Sequence, residues 1–178
     1  SFPQWLEQLY QNKQIVIIDY NSKENVKETI KNICDCNNVQ LCDMTSQEYD
    51  YNANVVYIRI PDTKYFNISH AYNYAVKRIR ADILAFVCAD SCPRDYYLDL
   101  VAHCVDEKNI VQIWWRIITI TYNNWKKLNG HQEFVVGWGG EDDDFVARAK
   151  LLGLQQIILP SKLIFCIPHD HNRKGENR

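Results

Sequence analysis

Two hydrophobic rhythms alternate along the chain. Short β-branched runs bounded by turn formers predict strands at Gln14–Asp19, Asn54–Ile60 and Ile83–Cys88. Between them, apolar positions three and four apart predict helices. Phe2–Tyr10 carries Phe2, Leu6 and Leu9 on one face, and Lys23–Ile33 carries Val26, Ile30 and Ile33, with Ser22 placed to cap it. Pro61 stops the second strand ahead of a helix at Asn67–Arg80, and Pro93 predicts the opening of another that runs to Val105. Asn109–Tyr122 is β-branched and aromatic, which fits one long strand or a strand pair. A helix at Asp142–Leu152, closed by Gly153, precedes short strands at Ile157–Leu159 and Leu163–Ile167. Strands alternating with helices predict an α/β layer fold with a mostly parallel central sheet. A polar tail, Asn172–Arg178, follows it.

Composition narrows the class. The 178 residues, 47% hydrophobic and 24% charged, suit one domain with its own core, residues 1–178. A net charge of -2 excludes a protein that lives on nonspecific attraction to nucleic-acid phosphates. No apolar run approaches the roughly 18 residues of a membrane span. The seven cysteines form no CxxC pair and no zinc-knuckle spacing, which predicts reduced core thiols. With no basic-then-apolar leader, a cytoplasmic location is expected, or a secretory lumen had a leader been removed.

Candidate chemistry gathers at strand ends, where open parallel sheets bind their ligands. Asp19 and Asp90 both follow predicted strands. An acid there also starts turns and caps helices; as a ligand-binding pair, Asp90 suits a divalent metal and Asp19 suits a nucleotide base or ribose. The run Gly137-Trp138-Gly139-Gly140-Glu141-Asp142-Asp143-Asp144 is the most informative stretch. Glycines let backbone approach a ligand beside a flat aromatic face. Acids in a helix's first turn complement its dipole, but that accounts for one or two of them and not for the glycine-tryptophan lead-in. A carboxylate at a helix start beside a sugar-stacking Trp suits general-base work on a hydroxyl. His169 and His171 stand in the polar tail, where imidazole can complete a metal site. His70, His103 and His131 have no partner at metal spacing and read as structural.

The stretch from Asn129-Gly130 through Gly137-Trp138-Gly139-Gly140-Glu141-Asp142-Asp143-Asp144-Phe145 to Arg148 and Gly153 closely resembles inverting glycosyltransferases of the GT-A fold. The likeness is to β-1,4-galactosyltransferases and to the galactosyltransferase-like part of chondroitin-type polymerases. Ile15–Ser22 looks like that fold's nucleotide-binding strand and turn. Phe66–Asn73 and Ala81–Phe86 look like the helix and strand that lead to its Asp-x-Asp metal motif, and Pro168-His169 with Lys174–Asn177 resembles the metal histidine and following tail of the polymerases. The resemblance implies a UDP-sugar donor, a glycan acceptor and Mn²⁺ or Mg²⁺. Asp142 would be the catalytic base. Asp19, Ser22, Asn73 and Asp90 would serve the donor side, and Trp138, Gly139, Gly140, Glu141 and Asp143 the acceptor side. Asp90 and His169 would bind the metal, with His171 as a substitute.

Three departures accompany the match. Cys88 stands at the first acid of Asp-x-Asp, and Trp115-Arg116 stand where relatives carry Gly-Gly. Bulky residues there would narrow donor choice, or Arg116 would reach the diphosphate. The family also begins with a strand ahead of the helix that corresponds to Pro3–Gln11, so a first strand is expected to be missing from the sheet. Cys88 and the missing first strand favour, as an alternative, a non-catalytic nucleotide-sugar or glycan-binding domain. A glycoside hydrolase needs acids on opposite faces of the scissile bond, which one consecutive acidic run does not supply.

Overall fold

A computed structural model of the chain describes residues 1–114, 117–134 and 139–168. Helix α1 (Phe2–Leu6) leads to β1 (Ile15–Asp19), α2 (Val26–Cys36), β2 (Leu41–Asp43) and β3 (Val55–Arg59). Next come α3 (Ile68–Val76), β4 (Ile83–Val87), β5 (Ser91–Pro93) and α4 (Tyr97–Cys104). Strands β6 (Asn109–Ile113) and β7 (Ile117–Thr121) precede α5 (Tyr122–Lys127) and α6 (Glu141–Leu151). Strand β8 (Gln155–Ile158), a single 3-10 turn and β9 (Ile164–Cys166) complete the order.

The strands form three sheets, ordered β1-β3-β2, β4-β7-β6-β8 and β5-β9. Parallel pairing holds β1 and β2 on β3 and β8 on β6. Antiparallel pairing joins β4 to β7, β7 to β6, and β5 to β9. The parallel part is the strand-helix alternation expected from the sequence. The antiparallel part of the four-stranded sheet arises because Asn109–Tyr122 folds back on itself as a strand pair, with Ile113 opposite Ile117.

Helices cover the sheets through their apolar stripes. Val76 of α3 and Phe145, Val146 and Ala149 of α6 pack with Leu84, Phe86, Ile110, Ile118 and Ile120. Ala75, also on α3, packs with Val56 and Ile58 of β3 and reaches Val16 and Ile18 of β1. Ile17 faces the other way, toward Phe2 and Leu6 of α1.

Several boundaries differ from the sequence expectation. Helix α2 starts at Val26 because Asn25, not Ser22, accepts the amide of Glu28 as its cap. The Ser22 amide is already bonded to the Asp19 carboxylate, at 2.8 Å. Pro93 does not open a helix; it pairs with Ile164 in β5–β9, and α4 begins only at Tyr97. Helix α1 ends at Leu6, leaving Leu9 exposed. Of the seven cysteines expected to be core thiols, Cys34, Cys42 and Cys92 are buried, Cys88, Cys104 and Cys166 are half-buried, and Cys36 is exposed.

Candidate active site

Two groups of candidate residues lie at strand ends, one in each large sheet. Asp19 closes β1, and its carboxylate is enclosed by protein donors. Tyr57 Oη and Arg59 Nη1 each donate to Oδ2 at 2.6 Å, and the Ser22 amide donates to Oδ1. Its side chain is 0% exposed. Burial alone pushes this carboxyl up, but the bonds from Tyr57 and Ser22 and the Arg59 charge outweigh it and hold it below its ordinary value. Arg59 also donates to the Ser22 carbonyl at 3.1 Å, so Asp19, Ser22 and Arg59 form one bonded turn. Beside it, Arg59 lines a cavity of about 330 Å³ whose wall includes Thr45, Tyr74 and Arg78.

The second group surrounds Tyr72, which α3 presents between the end of β4 and the start of α6. Its phenol is raised far above the usual range by burial first, then by Cys88, Asp142 and Glu141. Tyr72 therefore links the strand end that carries Cys88 and Asp90 to the acidic helix start. The sequence gives no sign of this role for Tyr72 beyond its place in Phe66–Asn73.

The helix start is built by backbone conformation. Gly139 and Gly140 have φ of +93° and +90°, the left-handed region that side chains resist. Gly140 is the N-cap of α6, and the helix then carries Glu141, Asp142, Asp143 and Asp144 in its first turn, with Arg148 and Lys150 in its last. Opposite charges at opposite ends complement the helix dipole.

The four acids do different work. Asp144 accepts from Arg148 Nε at 2.8 Å, and Arg148 Nη1 in turn donates to the carbonyls of Leu128 and Gly130. This acid anchors the preceding loop. Asp143 is exposed. Glu141 Oε2 is buried with no hydrogen-bond partner among the described residues. Asp142 is raised from 3.8 to about 7, by burial first and then by Glu141 and Asp143. A carboxyl that titrates near neutrality is poised to exchange protons.

Asn73 braces this site from behind. Its side-chain amide pairs with the His131 backbone as another strand would: Nδ2 donates to the His131 carbonyl at 2.8 Å, and Oδ1 accepts from the His131 amide at 2.9 Å. Nδ2 also donates to Glu133 Oε1 at 2.8 Å, and Asn67 donates to the Glu133 carbonyl. The contact is close enough to require Gly130, since a Cβ there would lie 2.6 Å from Asn73 Oδ1. His131 is structural, as its sequence context suggested. It is buried and neutral, stacked on Phe145 at 4.1 Å, with its pKa lowered to about 3 by burial and then by Arg148.

The expected metal set is only partly within view. Among the described residues, no group of three His, Cys, Asp or Glu comes together to hold a cation. Asp90, just past β4, offers the hard carboxylate oxygen that Mn²⁺ and Mg²⁺ take, while Cys88 offers a soft sulfur. His169 and His171 lie outside the described residues, as do Trp138 and the Trp115-Arg116 pair.

The family model described as the N-terminal domain of galactosyltransferase matches residues 112–172, which include the acidic helix start. The chain is similar in structure to the catalytic domain of Drosophila β1,4-galactosyltransferase 7 complexed with xylobiose. That match has 16% identity and a TM-score of 0.60, covering 90% of this chain and 73% of that one. A mutant of the same enzyme, complexed with manganese, UDP-Gal and xylobiose, matches at 15% identity and TM-score 0.61, covering 92% and 74%. The mannosyltransferase PcManGT from Pyrobaculum calidifontis, in complex with GDP-Man and Mn²⁺, matches at 14% identity and TM-score 0.74, covering 96% of this chain and 53% of that one. No curated protein sequence matches the chain. The chain has a GT-A-type, galactosyltransferase-like fold.

Proposed function

We propose that this chain is an inverting glycosyltransferase that moves a hexose or N-acetylhexosamine from a UDP-sugar to a hydroxyl of a glycan. The observation that carries this is Asp142, a part-buried carboxyl with a pKa of about 7 at the start of α6 in a GT-A-type fold. A base that titrates near the working pH combines a useful ionised fraction with real proton affinity. Asp142 takes the proton of the acceptor hydroxyl as its oxygen attacks the anomeric carbon. Attack comes from the face opposite the departing UDP, so the centre inverts. Holding donor and acceptor together supplies the effective concentration.

On the acceptor side, the unpartnered Glu141 Oε2 accepts a second sugar hydroxyl, which relieves the cost of a buried lone acceptor. Asp143 and the Gly139-Gly140 backbone flank it, and Trp138 is assigned to stacking by its motif. On the donor side, Asp19 and Ser22 act by fixing Arg59, and Asn73 by holding the Gly130–Glu133 segment. Asp90 with His169, or His171 in its place, would hold Mn²⁺ or Mg²⁺. When bound, the cation stabilises the negative charge that grows on the leaving diphosphate. The neighbouring complexes with UDP-Gal and manganese and with GDP-Man and Mn²⁺ support these ligand classes. The cysteine spacing, with no CxxC pair, supports a reducing compartment such as the cytoplasm.

The test is release of UDP from a panel of UDP-hexoses and UDP-N-acetylhexosamines, with oligosaccharide acceptors and with or without EDTA. The proposal expects acceptor-stimulated release that EDTA and Asp142→Asn both abolish. UDP binding without turnover would favour a binding domain instead, a reading that Cys88 at the metal motif supports.

A further inference from the structure

Helix α3 presents Tyr72 to an aromatic box that joins β4 to α6. Its ring lies 4.8 Å from that of Phe86 on β4 and 5.2 Å from that of His131. Phe86 lies 4.5 Å from His131, and His131 stacks on Phe145 of α6 at 4.1 Å. The adjacent Asn73 holds the His131 backbone through its amide and its carbonyl, which fixes the box against α3. The ring of Tyr72 thus packs on the core that contains Leu84, Phe86 and Phe145. A phenylalanine would fill that place equally well.

The hydroxyl is what the packing leaves unused. Tyr72 is half-buried, and among the described residues its Oη forms no hydrogen bond. Two periodicities show what surrounds it. Alternation along β4 turns Leu84 and Phe86 toward this core, and Cys88 continues the same face just past the strand end. On α6, Asp142 and Glu141 stand one helical turn ahead of Phe145 and share its face. The phenol end of Tyr72 therefore borders the space between Cys88 and the two acids. The same three residues, after burial, are what raise its pKa, so the phenol stays protonated and always has a proton to donate.

Under the transfer chemistry proposed above, on which this inference rests, Asp90 past the end of β4 serves the diphosphate and Asp142 serves the attacking hydroxyl. The anomeric carbon is bonded to the first and attacked from the side of the second, so the transferred sugar lies between them, where Tyr72 borders both. Its neighbours there are poor donors. A thiol such as that of Cys88 is a weak donor and a weak acceptor, and the ionised carboxylates of Glu141 and Asp142 only accept. Tyr72 adds the strong neutral donor that these three do not supply.

We propose that Tyr72 is a specificity-determining residue whose Oη donates a hydrogen bond to one hydroxyl of the transferred hexose, between the Cys88 end of β4 and the Asp142 start of α6. A sugar that carries a hydroxyl at that corner pairs with Tyr72. A sugar that lacks it leaves the phenol unpaired in a closed site, which discriminates more strongly than a missing apolar contact does.

The test is calorimetric titration, with Mn²⁺ present, of the full chain and of Tyr72→Phe. The ligands are UDP, the tightest-binding of UDP-glucose, UDP-galactose and their N-acetylamino counterparts, and analogues of that sugar nucleotide that each lack one sugar hydroxyl. In the wild type, one analogue is expected to bind about tenfold or more weaker than its parent. Tyr72→Phe is expected to bind the parent weaker by the same factor, to treat parent and analogue alike, and to bind UDP as the wild type does. Its thermal midpoint should stay close to that of the wild type, because every ring contact remains. A variant that still discriminates, or that loses affinity for UDP and the sugar nucleotide equally, overturns the proposal. So does a variant that no longer folds, which would give the hydroxyl to the protein's own packing. A wild type that binds UDP but gains nothing from the sugar overturns this proposal alone, whereas a wild type that binds no UDP removes the transfer reading and this proposal with it.

Discussion

Replacing Asp142 by asparagine keeps the size and shape of the side chain and deletes only its ability to ionise. Burial, and then the charges of Glu141 and Asp143, raise this carboxyl from 3.8 to about 7. The folded chain therefore holds the proton more tightly than the unfolded chain does. Stability from this group is greatest below pH 3.8 and falls as the pH climbs to about 7, because folding then forces a disfavoured charge into the site. The ceiling on that loss is about 4 kcal/mol. Partial exposure and charge sharing with Glu141 and Asp143 reduce it to roughly 2 kcal/mol. Asp142→Asn is accordingly expected to exceed the wild type by about 2 kcal/mol at pH 8 and to match it near pH 4. Urea denaturation at stepped pH measures the difference. The same substitution removes the base, so transfer at pH 7.5 should fall by about 10²–10⁴-fold. The wild-type rate itself should rise about tenfold per pH unit below 7 and then level off. A stability difference that does not change with pH, or full transfer by the variant, refutes the reasoning.

Other perturbations test the scaffold behind the base. The His131 pKa of about 3 lies below the 6.5 of an unperturbed imidazole, so its contribution to stability is intact above pH 6.5 and is lost as pH falls toward 3. Neither ring nitrogen has a hydrogen-bond partner among the described residues, so His131→Phe keeps the stack on Phe145 and removes the acid sensitivity. A gain of roughly 1–2 kcal/mol at pH 5 and little change at pH 8 is expected in thermal unfolding; equal effects at both would count against the buried neutral ring. Gly130→Ala places a Cβ 2.6 Å from Asn73 Oδ1 and 2.9 Å from Trp125 at a φ of +71°. Its denaturation midpoint should drop by the equivalent of about 2 kcal/mol or more, and an unmoved midpoint would mean that the turn gives way freely.

Much of the scaffold is legible in the sequence because its signals are local. The β-branched runs of β1, β3 and β4 and the glycine-to-acid transition at α6 appear where pattern and turn chemistry put them. The hairpin of β6 and β7 was less so: Asn109–Tyr122 contains no glycine or Asn-Gly to mark the reversal, which falls at Trp114, itself at a φ of +49°. Ser22 has the right chemistry for a cap, but its amide is drawn to Asp19, and the helix waits for Asn25. At the site, Asp142, Glu141 and Gly140 stand out in one motif. Their support does not, because Asn73 with Glu133, and Tyr57 with Asp19, meet across 60 and 38 residues of chain. No local pattern encodes such contacts. They follow only from the packing of α3 and β3.

Calorimetric titration of UDP into the chain, first with Mn²⁺ and then with EDTA, tests the central claim most directly. The account predicts binding that requires the cation and is lost in Asp90→Ala. Absence of UDP binding in both conditions, or cation-dependent binding that Asp90→Ala leaves unchanged, would contradict it.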